Sequence, residues 1–421
     1  MYERTPFYEK VKERLIRYAK IDTQSDPNGT DTPTTGKQFD LARVLRDELI
    51  AIGASDVRLD ERVCVLYASI PATAAGGMPV GFVTHMDTAP DAPGANVRPW
   101  VLENYDGGDI VLNEERGIVL SPDAFPNLKR YVGEDLVLTD GTTLLGGDDK
   151  AAIAAVMTMA EHLLSHPEIK HAKIALAFTP DEEVGGLAKD LDLDRFGAKV
   201  AYTLDGDHLG VYMDETFHAS AARLTVKGRS VHTGTAKGIM INACDVAGEF
   251  LSMLPRDQRP QVTEGREGFF HVVSIHGTCE RAQVELIVRD HDRARFEQRE
   301  AYLKNCADAL KKLYGDERIS LTVTETYRNM KEVVDRYPFL IETLIASIKD
   351  AGIEPETEPF RGGTDGSALS HRGLPCPNLS AGYENAHGRF EYVPIRSMEQ
   401  NVNILLHLIE RFGRMKEETG E

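Results

Sequence analysis

The sequence predicts an α/β fold: a mixed, mostly parallel sheet flanked by helices, interrupted by an inserted ferredoxin-like α+β module. Three observations carry this reading. Apolar strand-like runs alternate with helical stretches from about residue 36 to 205, the pattern of a sheet covered on both faces. From about residue 215 the order becomes β-α-β-β-α-β, that of a small ferredoxin-like module. After about residue 328 the first style resumes. The first domain is therefore expected in two pieces, residues 1–214 and 328–421, around an insert at 215–327.

Taken in order, residues 8–20 and 36–52 read as amphipathic helices, the second closed by Gly53. Strands are expected at Val63–Ile70 and Pro79–Thr84, the latter leading straight into His85-Met86-Asp87-Thr88. Residues 90–140 are rich in Gly, Pro, Asp and Asn, with short β signals at Ile110–Leu112 and Leu136–Leu138, and read as a hairpin-bearing excursion. Gly146-Gly147-Asp148-Asp149-Lys150 opens a long apolar helix, Ala151–Leu164. Lys173–Phe178 and Val200–Leu204 are further strands, ending in Thr179-Pro180-Asp181-Glu182-Glu183 and Asp205-Gly206. In the insert, strands are expected at His218–Val226, Phe269–His276, Gln283–Asp290 and Ile319–Thr326, with helices at Ile239–Leu254 and Arg293–Tyr314. The return carries a helix over Pro338–Ala351, a Gly-rich loop at 361–366, a strand at Pro377–Ser380 and a helix over Met398–Arg414.

Composition narrows the function. The chain has 421 residues, 42% of them hydrophobic, enough for a large core. A net charge of −19 argues against nucleic-acid or anionic-membrane partners, which need clustered Lys and Arg. The first twenty residues are charged rather than apolar, and there is no run of about 18 apolar residues to span a membrane. The five cysteines are scattered and lack a C-x-x-C pair, which fits a reducing, cytoplasmic compartment and no thiolate site.

Ligands of α/β sheets sit outside the carboxyl ends of the strands, where His85, Glu182, Glu183 and Asp205 are expected to meet. Taken alone, each has an ordinary alternative. Three carboxylates after a strand can be a solvated acidic turn, Asp148 or Asp149 a helix N-cap, and Asp205 a turn residue. His387, between Ala386 and Gly388, is weak evidence by itself. Taken together, two imidazoles and several carboxylates without cysteine suit Zn²⁺, with Co²⁺ or Mn²⁺ as competitors. Five ligands with one shared carboxylate suit two ions roughly 3.5–4 Å apart. On a strand, neighbouring side chains point to opposite sides, so Glu182 and Glu183 are expected to do different jobs. The Gly-rich loop at 361–366 lacks a P-loop lysine and carries little phosphate signal.

The strings His85-Met86-Asp87-Thr88, Leu144 to Ala151 around Gly146-Gly147-Asp148-Asp149, Thr179 to Gly185 and Arg361-Gly362-Gly363-Thr364-Asp365-Gly366 resemble the peptidase T family. These are the tripeptide aminopeptidases of the di-zinc aminoacylase/carboxypeptidase superfamily, the M20 metallopeptidases. The resemblance implies two zinc ions per chain. His85 and Asp205 would hold one, Glu183 and His387 the other, and Asp148 would bridge them. Asp87 would orient His85, and Glu182 would be the general base. The insert would be a lid that also mediates homodimerisation. In it, His232 would stabilise the oxyanion, although the usual following proline is Thr233 here. Arg289 and Arg361 would anchor the substrate, with Asn242 a further lid candidate. The implied activity is removal of the N-terminal residue from tripeptides in the cytoplasm. The alternatives on the same scaffold are a dipeptidase, a carboxypeptidase or an N-acyl-amino-acid deacylase. A non-catalytic metal cluster is the rival from another class, and it leaves Glu182 without a use.

Overall fold

The computed structural model describes residues 3–415. The chain forms two compact units: unit 1 is Met1–Asp214, Glu332–Glu358 and Thr364–Glu421, and unit 2 is Glu215–Lys331 with Pro359–Gly363. Unit 1 begins with helices α1 (Tyr8–Ala19) and α2 (Gln38–Ile52) and strands β1 (Ser55–Asp60), β2 (Val65–Ile70) and β3 (Val80–His85). The excursion carries β4 (Trp100–Leu102), β5 (Ile110–Asn113), β6 (Ile118–Leu120) and β7 (Leu136–Leu138). Then come α3 (Gly147–Ser165), β8 (Ile174–Thr179), α4 (Leu193–Phe196), β9 (Val200–Gly206) and β10 (Val211–Met213). Unit 2 holds β11 (His218–Lys227), α5 (Ala243–Met253), β12 (Phe269–Gly277), β13 (Arg281–Asp290), α6 (Arg293–Tyr314) and β14 (Ile319–Tyr327). After α7 (Lys331–Val334), unit 1 resumes with α8 (Pro338–Asp350), β15 (Glu356–Thr357), α9 (Asp365–His371), β16 (Asn378–Ser380), β17 (Val393–Pro394) and α10 (Ile395–Arg414).

The main sheet of unit 1 has eight strands in the order β1-β2-β8-β3-β9-β16-β10-β15. Strands β8, β3, β9 and β16 run parallel side by side, and β1, β2 and β10 supply the antiparallel pairings. Side-chain alternation divides the central strands between two cores. Ile174, Leu176, Phe178, Phe82, Tyr202 and Leu204 face one, with α1, α2, α3, α8 and α10. Ala175, Ala177, Val83 and Ala201 face the other, with Phe196, Leu369 and Leu374. Helix α3 is buried almost all round, as expected of a helix apolar on every side. It packs on β3 and β9 beneath α1 and α10.

Unit 2 is a four-stranded antiparallel sheet, β12-β13-β11-β14, with α5 and α6 over one face around Phe250, Phe296, Leu303 and Leu286. The expected boundary at 328 leaves the loop Pro359–Gly363 with the first domain, whereas the structure groups it with unit 2. The reason is hydrogen bonding: Phe360 N–H donates to the Glu215 carbonyl at 3.0 Å, and Phe217 N–H to the Gly362 carbonyl at 3.1 Å.

Three local expectations need correction. Ser55–Asp60 forms an edge strand that its polar sequence hid. Helix α5 starts at Ala243, not Ile239, because Ile241 pairs with Arg229 and Asn242 caps the helix. Strand β8 stops at Thr179. Asp181 is left-handed, and Glu182–Val184 is a single 3-10 turn, so strand alternation does not separate the two glutamates.

Candidate metal centre

Strand β3 lies between β8 and β9 and runs parallel to both, with His85 level with Thr179. His85, the turn after Thr179 and Asp205 therefore emerge at one edge, and the turn before α3 delivers Asp148 beside them. His85 Nε2 lies 3.0 Å from Asp148 Oδ1 and 3.7 Å from Asp205 Oδ1. His387 Nε2 lies 3.2 Å from Asp148 Oδ2 and 2.9 Å from Glu183 Oε2. Asp148 thus presents one oxygen to each imidazole. His85, Asp148 and Glu183 can each offer a ligand atom within 4.8 Å of one another, and so can His85, Glu182 and Asp205.

Asp87 serves both sides of this arrangement. Its Oδ1 lies 3.4 Å and its carbonyl 3.2 Å from His85 Nδ1, and its carboxylate accepts the N–H groups of Glu182 (3.0 Å) and Glu183 (3.2 Å). Only two of the three consecutive carboxylates enter the cluster. Asp181 turns away, and its carboxylate accepts from Thr34 and Gln38. The turn at Gly146 is left-handed, as its glycine permits, and Asp148 and Asp149 are non-helical inside the first turn of α3. Neither caps the helix. Asp149 instead accepts the His85 N–H at 3.1 Å.

Burial and like charge govern the protonation of these groups. Burial, and then the charge of Asp205, pushes the Glu182 carboxyl well above the usual range. Burial and Asp148 raise Glu183 to about 8. Burial opposes ionisation of Asp148, but hydrogen bonds to His387 and His85 outweigh it and hold the carboxyl low. Hydrogen bonds to Asp148 and Glu183 raise His387 to about 11. For His85, burial lowers proton affinity, yet Asp148, Asp205 and Asp87 carry it well above the ordinary value.

These residues fit a pair of divalent cations. No Lys or Arg among the described residues pairs with Asp87, Asp148, Asp149, Glu182, Glu183 or Asp205. Buried oxygens of Glu183 and Asp149 have no partner. A buried excess of carboxylates needs a compensating cation, and imidazole with carboxylate is a donor set for first-row divalent ions.

The remaining expected site residues lie in unit 2. His232 is exposed, and its Nδ1 accepts the Gly234 N–H at 3.1 Å, which leaves the proton on Nε2. The Arg289 guanidinium stacks 4.8 Å from the Tyr327 ring centroid, its Nε has no partner, and burial lowers its pKa to about 10. Arg361 makes several contacts within unit 2. It donates to the Gly265 carbonyl (2.6 Å), the Glu267 carbonyl (3.0 Å) and Thr263 Oγ1 (3.0 Å), over the rings of Phe217 and Phe269. Through these bonds Arg361 fastens the Pro359–Gly363 loop to the 263–267 loop. Asn242 caps α5 by accepting the Cys244 N–H.

A family model described as a peptidase dimerisation domain matches residues 215–318. The peptidase T of Geobacillus kaustophilus is 49% identical over 405 residues, spanning 96% of this chain and 98% of that one. The chain belongs to the peptidase T family. Solved structures share the fold: an aminopeptidase PepT from Bacillus cereus (TM-score 0.75, 21% identity, 97% of this chain and 99% of that one) and a tripeptidase from Staphylococcus aureus (0.76, 22%, 97% and 99%). As a peptidase T family member the chain is a metallopeptidase.

In this member of the family, several residues that build the site carry no local sequence signal. Glu391 is buried and accepts the N–H groups of Leu145 (2.7 Å), Gly146 (2.7 Å) and Asp148 (3.0 Å). Tyr383 Oη donates to Asp205 Oδ1 at 3.2 Å. Glu384 accepts from Tyr131 Oη and from Asn127 Nδ2 and pairs through its backbone with Tyr392. Glu384 thus closes the loop that holds both His387 and Glu391. Only the spare N–H groups of a Gly-Gly-Asp-Asp turn point to such an acceptor, and they do not say where in the chain it lies.

Proposed function

We propose that the chain is a metal-dependent aminopeptidase that releases the N-terminal residue from short peptides, preferentially tripeptides. The observation that carries this is the contrast between the two glutamates. Glu183 is engaged by His387, whereas the Glu182 carboxylate, beside His85 and Asp205, accepts no hydrogen bond among the described residues. A structural cluster has no need of that free carboxylate, but a hydrolase does.

We assign the ions as zinc, with cobalt or manganese able to substitute. His85 and Asp205 would hold one, Glu183 and His387 the other, with Asp148 shared. Bound there, the pair supplies Lewis acidity and acidifies a water at neutral pH. Glu182 accepts the proton of the attacking water at a carboxylate oxygen and returns it to the leaving amine. Asp87 keeps His85 oriented through Nδ1. For His232 and Arg289 we keep the substrate-binding roles that the resemblance implies, since an Nε2–H donor suits a carbonyl oxygen and an uncompensated guanidinium suits a carboxylate. Homodimerisation is proposed on the description of the family model, and a cytoplasmic location on five free cysteines.

Glu182→Gln is expected to keep both metals by elemental analysis while kcat on a tripeptide falls on the order of 10²–10⁴-fold. Full activity would refute the assignment. His387→Ala is expected to lower the metal count from two to one. Di-, tri- and tetrapeptides assayed beside an acetylated amino acid separate this reading from the dipeptidase, carboxypeptidase and deacylase alternatives.

A further inference from the structure

The turn that carries Glu182 and Glu183 is gripped from two sides. Asp87 accepts its N–H groups from one side. The other grip falls on Asp181, a non-glycine residue held at φ 60°, a left-handed conformation that costs roughly 1–2 kcal/mol outside glycine. Asp181 is buried, and its carboxylate accepts the Thr34 N–H (2.8 and 3.0 Å), the Thr34 hydroxyl (2.6 Å) and Gln38 Nε2 (2.6 Å). The amide oxygen of Gln38 in turn accepts the Asp181 N–H at 3.2 Å. A single fully buried amide at the start of α2 therefore holds both the backbone and the side chain of Asp181. The Asp181 carbonyl closes the turn by accepting the Gly186 N–H at 2.7 Å, with no room for a side chain at Gly186.

None of these three side chains is a candidate ligand, yet they fix the residue immediately before the free carboxylate. We propose that Asp181, clasped by Thr34 and Gln38, is a positioning residue that aims the Glu182 carboxylate and sets the reach of Glu183. This rests on the aminopeptidase reading for the role of Glu182. Misplacement of a reacting group by about 1 Å costs on the order of 10²-fold in rate, and loss of an outer contact weakens metal binding about 10–100-fold.

The test uses Gln38→Leu and, because Thr34 is only partly buried and tolerates change better, Thr34→Val. For Gln38→Leu, kcat on a tripeptide is expected to fall about 10–100-fold, with KM within about twofold. Chelator competition against bound Co²⁺ should show one of two equivalents weakened about tenfold or more, the other unchanged. Thr34→Val should move both readouts in the same direction by a smaller factor. If either folded variant retains wild-type kcat and both Co²⁺ affinities, the clasp has no positioning role. A kcat loss that merely tracks the folded fraction, with unaltered Co²⁺ binding, overturns it equally. Should the wild-type chain bind two Co²⁺ but cleave no peptide, the aminopeptidase reading fails, and the Co²⁺ arm still judges the clasp.

Discussion

Glu391 illustrates what a single buried side chain does here. Three backbone N–H groups converge on its carboxylate, and such charge-assisted bonds are about twice as strong as neutral ones. The glutamine variant must turn an NH₂ group toward one of those donors, leaving a buried N–H unpaired. Glu391→Gln is expected to lower stability by about 1–3 kcal/mol in urea unfolding. At this scale the sequence was informative where chemistry and position coincide. His85, Asp148, Glu183 and Asp205 were legible as a cluster because metal-competent types stood at strand ends or within recognisable strings, whereas His387 entered only through the family resemblance. Glu391, Tyr383, Gln38 and Asp181 were not legible. Their partners lie far along the chain, and an isolated acid, tyrosine or amide reads as an ordinary surface residue.

Among elements, Arg14 joins three helices. From α1 it donates to Glu48 of α2 (2.7 Å) and to Thr158 (2.8 Å) and Glu161 (2.7 Å) of α3, and it is itself buried. Removing one partner of a buried pair costs about 3–5 kcal/mol, but Glu48 keeps Arg17 and Tyr18, and Glu161 keeps Lys10. Arg14→Met is therefore expected to cost nearer 2 kcal/mol, read as a lower urea midpoint with an unchanged slope. Many elements were legible from apolar pattern alone: His218–Lys227 and Arg281–Asp290 alternate in unit 2, and the central strands of unit 1 are continuous apolar runs. The failures had local causes. In Ser55–Asp60 only Val57 and Leu59 are apolar, and both are only partly buried, so the apolar signal is too short to read. Ile239–Ile241 has helical composition, but it pairs across the chain before the Asn242 cap.

For the whole molecule, the change of pattern near residue 215 was enough to reveal the insert, whereas strand order was not readable. Nothing local says that β16 enters between β9 and β10. Unit 2 is expected to carry its own sensitivity to acid. His291 is buried against Phe217, with Nδ1–H donated to the Thr216 carbonyl and Nε2 without a partner, and burial pushes its pKa down to about 4. An unfolded histidine titrates near 6.5. Between those values the unfolded chain holds a proton that the folded chain lacks, so stability is lost as pH falls from about 6.5 to about 4. The full effect is on the order of 3 kcal/mol. In His291→Phe the acid-side slope of stability should flatten, measured as Tm across that range. An unchanged slope would place the acid sensitivity in another group.

The interleaving of β16 has a consequence for how the protein is made. Translation is vectorial, and domains tend to fold as they emerge. When the first 214 residues have left the ribosome, β9 and β10 are present but the strand that sits between them is not. The same is true of His387 and of Glu391, which shapes the Asp148 turn. A nascent chain therefore carries a half-built nest of carboxylates until nearly all of it is synthesised. The candidate metal centre has all its side chains only once almost the whole chain has been synthesised.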